Sequence, residues 1–149
     1  VLRIGSVVLG VTDLHRAIMF WCAALGYVHR DDDVAADADF VVLVPPGGSS
    51  PGVSLQVSVT PLQEHPRVHL DLYADRPAEE VDRLVALGAE RVAWDLYPDD
   101  PDFVVLADTE GNRFCVIDKS DDPTHIDPTS VASMPRTSPS SSTSVTTST

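Results

Sequence analysis

Cysteine, basic residues and long apolar runs are all scarce in this sequence, and each shortage removes a class of protein. The 149 residues include only two cysteines, Cys22 and Cys115. Both sit in apolar runs, Phe20-Trp21-Cys22-Ala23 and Phe114-Cys115-Val116, where a free thiol behaves as a small hydrophobe rather than as part of a disulfide framework. Lysine and arginine number 10 against 23 acidic residues, a net charge of −13. Such a chain repels nucleic-acid backbones and anionic membrane surfaces, so neither is an expected partner, and a cationic or neutral small molecule suits it better. No stretch offers the roughly 20 consecutive apolar residues of a membrane-spanning helix. The opening Val1–Gly10 lacks the long apolar core of a signal peptide, and the expected location is cytoplasmic.

What is present is ordinary globular material, 43% apolar with a mean hydropathy of +0.01, enough for one domain with one core. That domain is expected at residues 2–118. Residues 119–149 carry few large apolar side chains and end in a Ser/Thr-rich run. Their burial cannot offset a chain entropy of about 1–2 kcal/mol per ordered residue, which predicts a disordered tail.

Within the domain the pattern repeats. The β-rich run Leu2–Val11 stops at Thr12-Asp13, and Leu14, Ile18, Cys22 and Leu25 then recur at helical spacing, with Asp13 as N-cap and Gly26 just past the end. Arg67–Ala74 reads as a second such strand, Asp75 as a cap, Pro77 as a first-turn residue, and Val81, Leu84, Val85 and Leu87 as an apolar stripe closing at Gly88. Both cap-to-glycine steps are 13 residues, and both helices end on Leu-Gly. Each helix is followed by three short extended runs: 27–30, 40–44 and 53–59, then 90–96, 103–107 and 113–117, separated by Pro/Gly/Asp turns. The order is βαβββ twice, in modules of about 2–60 and 66–118. Each module leaves one sheet face bare, so the two are expected to cover one another around a cleft.

Strand alternation sorts the faces. If Val7, Leu9 and Val11 meet the helix, Ser6, Val8 and Gly10 face the cleft. By the same logic Val53, Leu55 and Val57 turn inward and Ser54, Gln56 and Ser58 do not. Val68, Leu70 and Leu72 leave His69, Asp71 and Tyr73 on the cleft side, and Phe114 and Val116 leave Arg113, Cys115 and Ile117 there. Trp94 and Tyr97, beside a proline-rich turn, are candidates for an aromatic lid.

Ser6–Trp21, Arg67–Asp75 and Ala107–Ile117, in that order on a duplicated βαβββ frame, resemble the vicinal oxygen chelate superfamily of glyoxalases, bleomycin-resistance proteins and extradiol dioxygenases. The resemblance implies an α+β fold whose two modules form a cleft-bearing half-barrel pair, and pairing of modules within or between chains, hence a homodimer. It also implies four metal-ligand positions, one per strand, which fall here on Ser6, Gln56, His69 and Cys115. Those positions are degenerate. A hard ion wants carboxylate and imidazole, a serine hydroxyl is a poor substitute, and a thiolate would favour zinc.

His69 admits two readings: ligand contact, metal ligation or acid/base chemistry beside Asp71 or Tyr73, or a histidine satisfied by a structural hydrogen bond. Gln56 suits a pocket amide, and Cys115 as a nucleophile would need His69 as its base. His15, His29, His65 and His125 have no partner pattern. Asp31-Asp32-Asp33 and Asp99-Asp100-Pro101-Asp102 lack calcium-loop spacing and read as solvated loops. The expected ligand-binding set is His69, Gln56, Asp71, Tyr73, Ser6, Cys115, Arg113 and Trp94, taking a small organic molecule with no cofactor. The alternative is a divalent-metal lyase, isomerase or dioxygenase, and Ser6 and Cys115 count against it.

Overall fold

In the computed structural model, which describes residues 1–31, 34–48 and 51–121, the duplicated pattern becomes two four-stranded sheets. The tail expectation, beyond Asp121, and the Asp32-Asp33 pair lie outside the described residues. The first module runs β1 (Ser6–Val11), α1 (Leu14–Leu25), β2 (Val28–His29), β3 (Phe40–Val44) and β4 (Gly52–Val57). The second runs β5 (Asp71–Ala74), α2 (Pro77–Ala86), β6 (Glu90–Arg91), β7 (Phe103–Ala107) and β8 (Arg113–Asp118). Strand order is β1-β4-β3-β2 in one sheet and β5-β8-β7-β6 in the other. In each, the first and last strands of the module pair in parallel and the rest pair antiparallel.

Helix α1 starts and stops where its residue types dictate. Asp13 is extended, its carboxylate accepts the Arg16 N–H, and Gly26 takes a left-handed φ of 66°. This closes the last turn at no steric cost. Ala17, Phe20 and Trp21, at i, i+3 and i+4 spacing, are buried. Helix α2 departs from expectation at its start: Arg76, not Asp75, holds the cap position, and no side chain caps it. Pro77, whose φ is already helical, and Glu79 and Glu80 in the first turn support that end instead. Only Val81 and Leu84 of the expected stripe are buried. Val85 and Leu87 sit on the flank and are exposed.

Three strand readings need correction. Pairing of the second module's opening strand begins at Leu70, whose carbonyl accepts the Cys115 N–H, and Val68, expected to meet the helix, is 76% exposed. Pro66 offers no N–H to a ladder, so the chain joins the sheet only beyond it. The run at 53–59 ends at Val57, itself exposed because the last strand residue overshoots the core. The run expected at 90–96 forms a strand only over Glu90–Arg91; after one more bond, from the Val92 N–H to the Val105 carbonyl, the chain leaves the sheet and carries Trp94 to the recess.

The modules meet differently from the expectation that they cover each other's bare faces. One core cluster spans both, with Val11, Phe20, Trp21, Leu43 and Leu55 from the first and Val81, Leu106, Phe114 and Val116 from the second. The rings of Phe20 and Trp21 lie 6.3 and 5.4 Å from that of Phe114, and the indole N–H donates to the buried Asp108 carboxylate at 3.0 Å. Helix α1 is thus shared. Its two-sided apolar surface joins the modules on their helix side and leaves Val8, Phe40 and Tyr73, on the opposite faces, exposed.

Both ends of α1 are held by the second module. Glu110, in the turn before β8, accepts the Thr12 and Asp13 N–H groups and the Thr12 hydroxyl through Oε2, and Arg16 Nε through Oε1 at 2.7 Å. At the other end, the Arg83 guanidinium donates to the Ala23 and Ala24 carbonyls. A carboxylate at the positive end and a guanidinium at the negative end both match the helix dipole. Burial alone pushes the Glu110 carboxyl up, but its hydrogen bonds from Arg16, Thr12 and Asp13 outweigh burial and bring it down to about 2.

Candidate functional site

The open face of the second sheet carries the densest chemistry. Parallel pairing sets Asp71 opposite Cys115, antiparallel pairing sets Val105 on its other side, and His69 lies just before β5. His69 Nε2 is 3.2 Å from Asp71 Oδ1. The donor atoms of His69, Asp71 and Cys115 all fall within 4.8 Å of one another. Burial, the Asp71 charge and a hydrogen bond to Asp71 push the Cys115 thiol up to about 11. At neutral pH it is a protonated thiol, not a nucleophile.

The segment after β6 folds over this face. Trp94 roofs an apolar recess of about 140 Å³ whose walls include Phe103, Val105, Cys115 and Phe114, with His69 and Arg113 also lining it. Tyr97 is pinned to the second sheet rather than free to act as a lid: its hydroxyl accepts the Val105 N–H at 2.8 Å, and its ring lies 5.3 Å from that of Phe103. The Trp94 indole is flanked by the His65 ring at 4.9 Å and the Arg113 guanidinium at 5.6 Å.

A larger cleft of about 390 Å³ lies between the modules, bounded by β1, the 58–70 connector and the start of β8. Pro66, His69, Arg113 and Phe114 line both spaces, so recess and cleft adjoin at these residues.

Of the residues expected from sequence, the structure therefore brings together His69, Asp71, Cys115, Arg113 and Trp94. Ser6, Gln56, Asp71 and Tyr73 line neither space, though Asp71 contacts His69 and Cys115, which do. The Ser6 hydroxyl is hydrogen-bonded to that of Ser54, Gln56 is exposed at the end of β4, and the Tyr73 ring stacks under Lys119 at 5.0 Å. His65, expected to have no partner, binds Asp95 at 2.8 Å. That bond holds the Asp95 carboxyl below its ordinary range. The Glu64 carbonyl, which accepts from Arg113, was equally invisible to pattern reading, since backbone groups carry no sequence signal.

The four positions at which the superfamily holds a metal ion do not fit that ion here. Ser6 and Gln56 lie on the first sheet, outside the spaces that His69 and Cys115 line, and the four positions contain no carboxylate for a hard cation.

Two parallel-antiparallel βαβββ modules sharing one core define the glyoxalase and bleomycin-resistance type of fold. The chain belongs to the family described as Glyoxalase-like domain, which matches residues 6–117. A glyoxalase/bleomycin resistance/dioxygenase superfamily member from Sphaerobacter thermophilus is 22% identical, with 80% of this chain and 98% of that one aligned at a TM-score of 0.57. A family enzyme from Burkholderia phytofirmans is 14% identical over 76% of this chain and 96% of that one, with a TM-score of 0.57. A mutant of the fosfomycin resistance protein FosX from Listeria monocytogenes, in complex with Mn(II) and 1S,2S-dihydroxypropylphosphonic acid, is 14% identical over 78% and 90% at a TM-score of 0.59. At these identities the likeness is one of fold. No curated protein matches the sequence. No helix among the described residues is long and apolar enough to cross a membrane.

Proposed function

We propose that this protein binds a small organic molecule in the adjoining recess and cleft without the divalent ion of its metal-dependent relatives. The observation that carries the reading is the recess under Trp94, apolar on its walls and polar where His69 and Arg113 stand. Binding sites combine these features: apolar area supplies affinity and a few convergent polar groups fix orientation. The absent carboxylate, the high thiol pKa of Cys115 and the placement of Ser6 and Gln56 favour binding over metal chemistry. Association of two copies through the exposed faces that carry Val8, Phe40 and Tyr73 is part of the same proposal, and light scattering tests it.

A second reading rests on the His69, Asp71 and Cys115 donors, which suit a soft cation such as zinc more than Mn(II) or Mg(II). Elemental analysis of protein purified without chelator or affinity metal separates the two, followed by a fragment screen read by ¹H–¹⁵N NMR. The binding reading expects no stoichiometric ion, and hits that shift the Trp94 indole and the Val105 and Cys115 amides. A tight ion lost on His69→Ala would replace it with the metal reading.

A further inference from the structure

The overall charge of −13 suggests a cationic ligand, yet the site itself is built the other way. Among the described residues, no aspartate or glutamate lines either the recess or the cleft, while Arg113 and His69 line both; His69 is already paired with Asp71 at 3.2 Å, which leaves Arg113 as the lining cation without an acidic partner. Arg113 is also unusual among the arginines. Arg16, Arg30, Arg76, Arg83 and Arg91 each hold a carboxylate within salt-bridge distance. Arg113 is partly buried and holds none; its nearest partners are the Glu64 carbonyl and the Trp94 ring, with Asp95 acting on it only at longer range. Among the described residues Arg3 and Arg67 also lack a carboxylate, but both are exposed.

A guanidinium is costly to bury without an anion, because an amide carbonyl and an aromatic face restore only part of its lost hydration. Its carbonyl bond uses one end of the fork. The remaining N–H groups suit a planar carboxylate or a phosphoryl group. The guanidinium carbon lies 5.6 Å from the centre of the Trp94 ring, so an anion held by Arg113 sits beside the indole. On the other side of Arg113, the cleft adds neutral groups, Ser58, Thr60, Gln63 and Asn112, and no acidic lining residue. The protein's negative field weakens within about 10 Å at moderate salt. It slows an anion's approach without cancelling a contact made at about 3 Å.

We infer that the ligand is an organic anion, a carboxylate or phosphoryl group on a flat apolar body, with the body under Trp94 and the anionic group on Arg113. The inference rests on the binding reading above and adds the ligand's charge class and the residue that selects it. Arg113 is the specificity determinant, and the walls of the recess are indifferent to charge.

Three probes of one shape separate the terms: 2-naphthoate, 2-naphthamide and 2-naphthamidinium, titrated into the full chain by calorimetry, with the Trp94 indole resonance reporting location. Naphthoate should bind at least about tenfold more tightly than the amide, as expected of a charge-assisted contact, and the amidinium more weakly than either. Arg113→Met should remove that tenfold preference and leave the amide's affinity within about twofold of wild type. Should that variant fail to fold, salt dependence of the unaltered protein decides: naphthoate affinity should fall between about 20 and 500 mM NaCl while amide affinity holds. Amidinium binding as well as or better than naphthoate overturns the charge assignment and leaves the binding reading intact. If none of the three shifts the Trp94 indole, the site itself is lost, and the charge assignment with it.

Discussion

Removing the charge from Glu110 should destabilise this fold at neutral pH, and the cost should vanish in acid. The Glu110 side chain is 1% exposed, and its carboxylate accepts four hydrogen bonds from the first turn of α1. A drop in proton affinity from pKa 4.5 to about 2 is worth about 3 kcal/mol at about 1.4 kcal/mol per tenfold change. Because Arg16 is half exposed, solvent screening reduces the expected loss to about 2 kcal/mol. Glu110→Gln keeps a carbonyl oxygen for the backbone N–H groups and loses the charge, so it isolates the electrostatic part. The sign follows from a folded pKa below the unfolded one: the stabilisation is fully present above pH 4.5 and is lost as pH falls toward 2. Urea unfolding of both proteins at pH 7, 5, 4 and 3, followed by tryptophan fluorescence, should show the variant about 2 kcal/mol weaker at pH 7 and the gap narrowing steadily below pH 4.5. Asp108 lies in both proteins and cancels from the difference. A gap that stays constant from pH 7 to pH 3 would refute the argument, since a penalty from shape alone does not titrate.

Three further outcomes are expected. Trp21→Phe withdraws the indole donor from Asp108, already held above its ordinary range by burial, and should destabilise by about 1–3 kcal/mol in the same urea assay; a neutral result would mean the contact contributes nothing. Cys115 should alkylate with iodoacetamide at pH 8 far more slowly than the unfolded chain, by site-resolved mass spectrometry, and Asp71→Asn should speed it by removing the neighbouring charge. A native rate equal to the unfolded one would contradict the buried, protonated thiol. Gly111→Ala forces a φ of 87° on a residue with a Cβ and sets that atom 2.5 Å from Leu62, for a cost of about 1–2 kcal/mol. Leu62→Ala in that background should relieve the steric part alone, and full rescue would show that the backbone angle costs nothing.

Local features were legible from sequence because local physics makes them. Asp13 and Gly26 bracket α1 as their residue types require, and alternation correctly placed Val11, Leu55, Phe114 and Val116 in the core and Cys115 on the opposite face. The fold class followed from the repeat and from the resemblance at Ser6–Trp21, Arg67–Asp75 and Ala107–Ile117. What escaped was tertiary. Nothing in the sequence around Glu110 reveals that its partners lie 94 to 98 residues away. His65 and Asp95 meet only because the module connector and the loop after β6 cross the same face. Val68 alternates as a strand residue should, but nothing in its period reveals that pairing begins at Leu70. In the candidate site, the sequence offered the right side chains on the second sheet and could not show that Ser6 and Gln56, on the first, stand apart from them.

The anchoring of α1 also sets a timetable. Its first turn is completed by Glu110 and its last by Arg83, both synthesised long after the helix itself. Until the final strand emerges, a growing chain carries Phe20 and Trp21 without Phe114 and a helix start without its carboxylate. The first module is therefore expected to remain unsettled, and open to chaperones, while the second is being made. The two halves, alike in pattern, should become native together rather than in turn.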